Sequence, residues 1–178
     1  MSVEPKSTLR IDAGGCVLRP FRAPDVDSLT AVANDRDIWL QLRDRFPHPY
    51  LREHAEAFIA FSEKQETPTN LAICVDDRAV GSIGITPGTD IERVNAEIGY
   101  WIGKPYWGRG IGSAALRGMT RYAIEQFRLT RVFAIPFVEN TASIRVLEKV
   151  GYVREGVMRR SAIKDGRIRD QYLYAFYA

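Results

Sequence analysis

The sequence predicts an α+β domain around a mixed sheet, on three observations. Between residues 71 and 102 apolar positions alternate through two turn signals, the pattern of an antiparallel meander. On either side of that meander the apolar period becomes helical. After it, a helical stretch separates two strand-like runs, 94–102 and 132–137, and such a strand–helix–strand step makes them parallel neighbours.

The elements follow in order. Residues 8–22 read as two short strands around the Gly14-Gly15 turn, the second carrying Val17 and Leu18 toward Arg19-Pro20-Phe21. Pro24 at a first helical turn, with Asp25 beside it, opens a helix that buries Val26, Leu29 and Ala33. A second helical piece runs from Asp35 to Arg45 and stops before Pro47. After the His48-Pro49-Tyr50 loop, residues 51–65 form a helix with Ala55, Phe58, Ile59 and Ser62 at helical spacing. Leu71, Ile73 and Val75 then alternate, Asp76-Asp77-Arg78 turns the chain, and Val80, Ser82 and Ile83 begin the return strand. Gly88-Thr89-Asp90 leads into the third strand of the meander. From residue 110 to 127, Ile111, Ala114, Ala115, Met119, Tyr122 and Ala123 share one helix face. Residues 140–150 make a helix that Asn140 caps and Gly151 ends. The tail reads as two strands, 152–158 and 169–177, around Lys164-Asp165-Gly166. No linker, repeat or low-complexity stretch divides the chain, so residues 1–178 read as one domain.

Composition narrows the function. A 178-residue domain buries about 70% of the surface its unfolded chain exposes and needs no staples. Twenty-five Lys plus Arg against 22 Asp plus Glu leave +3, too little to imply nucleic acid and compatible with a local anion site. Two cysteines, Cys16 and Cys74, make no disulfide framework and fit a reduced protein. The first residues lack the order of a signal peptide, and no apolar run approaches the ~20 residues of a membrane span. A cytoplasmic protein with no membrane or nucleic-acid partner is the expectation.

The most informative stretch runs from Ile98 to Ala115, where a strand and a short loop lead through Gly108, Gly110 and Gly112 into the long helix. Glycines let backbone N–H groups approach a ligand, and a helix start offers unpaired N–H groups with a partial positive charge. Together they suit a phosphate or pyrophosphate, with Arg109 adding charge from the rim. A tight loop whose glycines serve only turn and packing is the competing reading. A P-loop is excluded because Ser113-Ala114, not Lys-Ser/Thr, follows the last glycine. A dinucleotide fold is excluded because G-x-G-x-G stands late in the chain, after an antiparallel meander.

These residues resemble the GNAT superfamily of N-acetyltransferases, specifically the branch of the ribosomal-protein N-terminal acetyltransferases (RimJ/RimL-like). The family's acetyl-CoA motif is Gln/Arg-x-x-Gly-x-Gly/Ala, and residues 107–112 match it with Trp107 at the Gln/Arg position, a departure familiar in this branch. Ala96 to Trp101 is similar to the branch's strand before the loop, and Asn140 to Tyr152 to its Asn-x-x-Ser-x-x-x-Leu-Glu-Lys-x-Gly-Phe/Tyr block. Glu155-Gly156, a late Asp170-x-x-x-Tyr174 and the opening Val17-Leu18-Arg19-Pro20 extend the resemblance over nearly the whole chain.

The resemblance implies a mostly antiparallel central sheet with a splayed parallel pair and flanking helices. It implies acetyl-CoA as cosubstrate, no metal, and direct transfer to a primary amine in a ternary complex. Backbone groups of Ile98, Tyr100, Trp101 and Ile102 would bond the pantetheine arm. Gly108, Arg109, Gly110, Ile111, Gly112 and Ser113 would hold the pyrophosphate, with Trp107 a further cofactor-binding residue. A backbone N–H between Tyr100 and Ile102 would serve the oxyanion. Ser143 would stand by the departing thiolate, against the alternative of a first-turn serine bonding its own backbone. Asn140 would add cofactor contact to its capping role. Glu97 is the candidate base, against a solvent-facing strand residue. Glu155, Asp165 and Asp170 are candidates for the acceptor mouth. The acceptor is a protein N-terminus or a small amine, and the protein a monomer or homodimer. The alternative from another class is a CoA-binding regulatory or interaction module without turnover.

Overall fold

The computed structural model describes residues 9–178. Strands β1 (Ile11–Asp12), β2 (Val17–Arg19), β3 (Asn70–Val75), β4 (Arg78–Pro87), β5 (Asn95–Ile102), β6 (Arg131–Ala134), β7 (Val153–Lys164) and β8 (Arg167–Tyr177) form a sheet in the order β1-β2-β3-β4-β5-β6-β8-β7. Helices α1 (Asp25–Ala33), α2 (Arg36–Trp39) and α3 (Arg52–Glu63) come before the meander, and α4 (Ile111–Phe127) and α5 (Thr141–Val150) after it. Neighbouring strands are antiparallel except β5 and β6, the parallel pair that the strand–helix–strand step requires. Among the described residues no helix is long and apolar enough to cross a membrane.

Each face of the sheet carries its own core. Leu71, Ile73, Ile83, Ile98 and Val132 pack with Ala115, Leu116 and Met119 of α4. On the other face Ala72, Cys74 and Ala79 meet Val26, Leu29, Ala55 and Ile59 of α1 and α3. β3 is therefore buried on both sides, and its Leu71/Ile73 alternation marks one face of two. Cys16 and Cys74 fall in opposite cores as free thiols, and burial pushes each up to about 11.

Three elements depart from the sequence pattern. The helix expected over 35–45 is only Arg36–Trp39, after which Gln41 and Leu42 donate to the carbonyls three residues back and the chain turns. The aromatic side chains beyond it serve different partners: Trp39 stacks on His48, whereas Phe46 packs against Tyr50 and Trp101. β6 stops at Ala134, because Pro136 has no N–H to extend the ladder with β8, and beyond it Phe137 keeps an isolated bridge to Gln171 and lies under the Arg169 guanidinium. The C-terminal hairpin is longer than expected. Register shifts between Arg154/Gly156 and Met158/Ala162 break the alternation that would have revealed its length.

One buried ion pair ties β2 to α1. Arg19, 3% exposed, grips Asp25, 5% exposed, through two bonds of 2.7 and 2.8 Å. Asp25 also accepts the Arg22 N–H at 2.8 Å, and Arg19 donates to the Asp77 carbonyl at 3.0 Å. Removing one partner leaves the other charge buried and unpaired. Asp25→Ala should lower stability in urea denaturation by about 3–5 kcal/mol, and the double change Arg19→Met/Asp25→Leu should recover much of that loss.

Candidate active site

The site begins where β5 and β6 part. They pair only at Asn95/Arg131, Ala96/Val132 and Glu97/Phe133, while β5 continues along β4 to Ile102. Which backbone groups this leaves open follows from the register with β4. Gly103 N–H bonds the Val80 carbonyl and Gly88 N–H the Asn95 carbonyl, each at 2.8 Å, so Gly81/Ile102 and Pro87/Ala96 are non-hydrogen-bonded pairs. Counting by twos, the N–H and C=O groups of Ile98, Tyr100 and Ile102 point away from β4 toward the gap. Those of Trp101 face Ser82 on β4. Trp101 thus departs from the sequence expectation: its backbone belongs to the β4 ladder, and its indole packs edge-on to Phe46 with centroids 5.3 Å apart.

At the end of the gap lies the glycine loop. The Trp107 indole N–H donates to the Ile102 carbonyl at 2.6 Å, fastening the loop to the strand. Gly108 and Gly110 hold φ of +75° and +77°, and a Cβ on either would meet nothing within 4 Å. Their backbone is left-handed and bare toward open space, as a close-approaching ligand needs. Gly112 serves packing instead, because its Cβ would lie 3.4 Å from Val146 and 3.6 Å from Ile102. The three glycines therefore divide between the two readings of the sequence. Ala114 N–H bonds the Gly110 carbonyl, so the earlier N–H groups of Ile111, Gly112 and Ser113 have no acceptor within the helix. The Ile111 side chain is buried in the core, and Ser113 is buried too. Arg109 is exposed, its guanidinium 5.3 Å from the Tyr106 ring centre.

α5 supplies the next side chains. Asn140 Oδ1 accepts the Ser143 N–H at 3.1 Å, the capping bond the sequence predicts. Ser143 Oγ does not turn back on its own helix; it lies 3.0 Å from the Tyr100 hydroxyl. Burial pushes that phenol up to about 12, a shift its bond to Ser143 opposes. Glu97 sits on the other face of β5, two positions from Gly99 and four from Trp101, and pairs with the Arg43 guanidinium. Serine and glutamate thus flank one strand from opposite sides.

A family model described as an acetyltransferase (GNAT) domain matches residues 16–153. The chain belongs to the GNAT acetyltransferase family. Among curated relatives, the uncharacterized N-acetyltransferase p20 of Bacillus licheniformis is 31% identical over 113 residues, 64% of this chain and 63% of that protein. YdaF of Bacillus subtilis, a putative ribosomal N-acetyltransferase, is 39% identical over 88 residues, 48% of each. The chain thus spans between 48% and 63% of these two relatives' lengths. Mycobacterium smegmatis RimJ, solved in complex with CoA-disulfide, aligns at a TM-score of 0.83 with 26% identity, over 99% of this chain and 90% of that one.

The acidic residues of the C-terminal hairpin separate. Asp165 pairs with Arg36 at 2.7 Å, and Asp170 accepts the Arg160 N–H at 2.7 Å, which holds a bulge in shape. Glu155 lies away from the gap, where Arg131, then the Tyr177 hydroxyl, holds its carboxyl below its ordinary value. Sequence reasoning named Tyr100 for its backbone and missed its hydroxyl, although period two places Tyr100 beside Ile98 and Ile102. Trp107 was visible only as a motif substitution. Arg43 left no signal, because its partner is 54 residues away. Among the described residues no group of three or more His, Cys, Asp and Glu gathers as for a metal.

Gly110→Ala tests the loop without filling a cavity. The added methyl enters open space, but a left-handed non-glycine costs about 1–2 kcal/mol. We expect a stability loss of that size in urea denaturation and a weaker acetyl-CoA Kd by calorimetry.

Proposed function

We propose that this protein transfers an acetyl group from acetyl-CoA directly to a primary amine in a ternary complex, the acceptor being a protein or peptide N-terminus or a small amine. The observation that carries the reading is the open edge of β5, which ends at a bare glycine loop and a helix N-terminus. That arrangement fits an extended arm ending in a pyrophosphate. Acetyl-CoA supplies an activated thioester carbonyl when bound. The chain's part is to place and polarise it. The N–H groups of Tyr100 and Ile102 are the candidate donors to the carbonyl oxygen as charge develops there. Ser143 donates a hydrogen bond toward the leaving sulfur, and Tyr100 supports that hydroxyl from behind. Glu97, on the opposite face, takes the proton of the incoming ammonium.

The amine's own acidity favours one kind of acceptor. At pH 7 a lysine amine near 10.4 costs ~4.6 kcal/mol to deprotonate, whereas an α-amine near 7.7–8.0 costs only ~1–1.4 kcal/mol. A single glutamate already engaged by arginine suits the second task. The YdaF relative is named a putative ribosomal N-acetyltransferase, which is compatible with a ribosomal acceptor.

Calorimetric titration with acetyl-CoA, with NAD and ATP as controls, comes first, followed by CoA release over a panel of N-terminal peptides and small amines. Selective binding with turnover supports the transferase. Selective binding without turnover on any amine supports a CoA-binding module instead, and failure to bind overturns both. Ser143→Ala should lower kcat about tenfold or more and leave the acetyl-CoA Kd within about twofold. Glu97→Gln should lower kcat/KM by about 10²–10⁴. The raised pKa of Tyr100 keeps its phenol protonated well above neutrality, because an acid loses its proton only as pH passes its pKa. With Tyr100 at about 12, kcat should show no fall between about pH 8 and 10 from loss of this proton.

A further inference from the structure

The Arg43–Glu97 pair has a consequence for the acceptor. The segment between α2 and the His48-Pro49 turn carries Arg43 to Glu97 and, one residue on, Asp44 to Lys164 of β7 at 2.7 Å. Lys164 is otherwise buried, its amine 3.8 Å from the Trp39 ring centre. This short segment therefore spans the glutamate on β5 and the C-terminal hairpin.

Arg43 has 60% of its side chain exposed, and Glu97 has 27%. Arg43 holds one oxygen of Glu97, so an arriving ammonium group either displaces the guanidinium or takes the other oxygen beside it, and both put a second cation next to Arg43. If the acceptor carries nothing but positive charge, the exchange strands Arg43 beside a second cation. If the acceptor brings a carboxylate next to its amine, the two pairs simply trade partners and the local charge stays balanced. We propose that Arg43 selects for an acceptor of that second kind, an acidic polypeptide N-terminus, by exchanging Glu97 for the acceptor's carboxylate. This rests on the reading of Glu97 as the group that meets the amine.

The surrounding charge extends the preference beyond the first residue. Arg45 follows Asp44, and Arg167 is the cross-strand partner of Lys164, so both flank the Asp44–Lys164 contact. Farther along the hairpin, Arg160 stands on the bulge that Asp170 shapes. All three are exposed, and among the described residues none of these guanidinium groups has a carboxylate partner. Unpaired cations on a rim draw in an acidic chain and repel a basic one, an effect that salt weakens. A free amino acid would use Arg43 alone and leave this rim idle.

The test uses two peptides of equal length with the same first residue, one continuing Glu-Asp-Glu and the other Lys-Arg-Lys. Binding to the protein–CoA complex is measured by calorimetry, and kcat/KM with acetyl-CoA. We expect the acidic peptide to lead by about tenfold or more in both at low salt, with the margin shrinking at 0.5 M NaCl. Arg43→Ala should cut the acidic peptide's lead by about threefold or more, leaving the smaller share that the rim supplies, while the acetyl-CoA Kd stays unchanged, and Arg43→Lys should restore part of the preference. Equal handling of the two peptides overturns the proposal, as does a lead that Arg43→Ala leaves undiminished. Free aspartate or glutamate outperforming the acidic peptide overturns the polypeptide assignment. Selective binding of the acidic peptide without acetylation of it or of any amine in the panel upholds this inference and removes the transferase reading; equal acetylation of both peptides does the reverse.

Discussion

The parting of β5 from β6 after three residue pairs is the constraint on which the rest of this molecule depends. A parallel pair that stayed zipped would satisfy the backbone groups of Ile98, Tyr100 and Ile102 within the sheet. Because β6 leaves β5 after Phe133 and follows β8 instead, those groups remain directed into a gap. The gap needs firm margins. β4 holds the far side of β5 through seven residue pairs, and β8 holds β6 through four. Tyr172 N–H, bonding the Pro136 carbonyl at 2.9 Å, keeps the diverging chain on the β8 side. The opening is thus bounded by ordinary pairing on both flanks, with no strained backbone required in β5 itself.

A gap through a sheet also joins two chemically different faces. On the α4 and α5 side, apolar packing surrounds the Tyr100–Ser143 contact, and desolvation keeps the phenol in its neutral form. On the other side, α2 reaches the hairpin tip and the segment after α2 reaches β5, each through an ion pair that water reaches. Neutral donors lie on one face and charge exchange on the other. Such a division suits a reaction in which one partner arrives with its charge far from the reacting carbon and the other carries its charge on the reacting atom.

Much of the fold was legible because the signals were local. Period two over 71–102, the glycine loop and the Asn140–Gly151 bracket all mark elements that the structure contains. The two half-cores were harder to see: β3 alternates in sequence yet buries Ala72 and Cys74 as well, since small residues on a second buried face resemble no pattern at all. The segment after Trp39 reads as helix by composition, but its residues are pulled toward the hairpin and β5, and tertiary contacts override local preference. The hairpin's length was hidden by its own bulges. At the site, motif spacing located the loop and Ser143, whereas the hydroxyl role of Tyr100 and the arrival of Arg43 at Glu97 depend on which distant elements fold together.

The placement of the three tryptophans turns this architecture into an optical instrument. Trp107 sits on the glycine loop with its indole N–H fixed to the Ile102 carbonyl and 47% of its surface exposed. Trp101 lies under Phe46, and Trp39 beneath the Lys164 amine, both on the side of the sheet that carries Glu97. Indole emission shifts with local polarity and with nearby charge. The chain therefore holds one native fluorophore beside its anion loop and two beside the opposite face, so that replacing Trp107, or Trp39 together with Trp101, by Phe leaves an indole signal that reports one half without any added label.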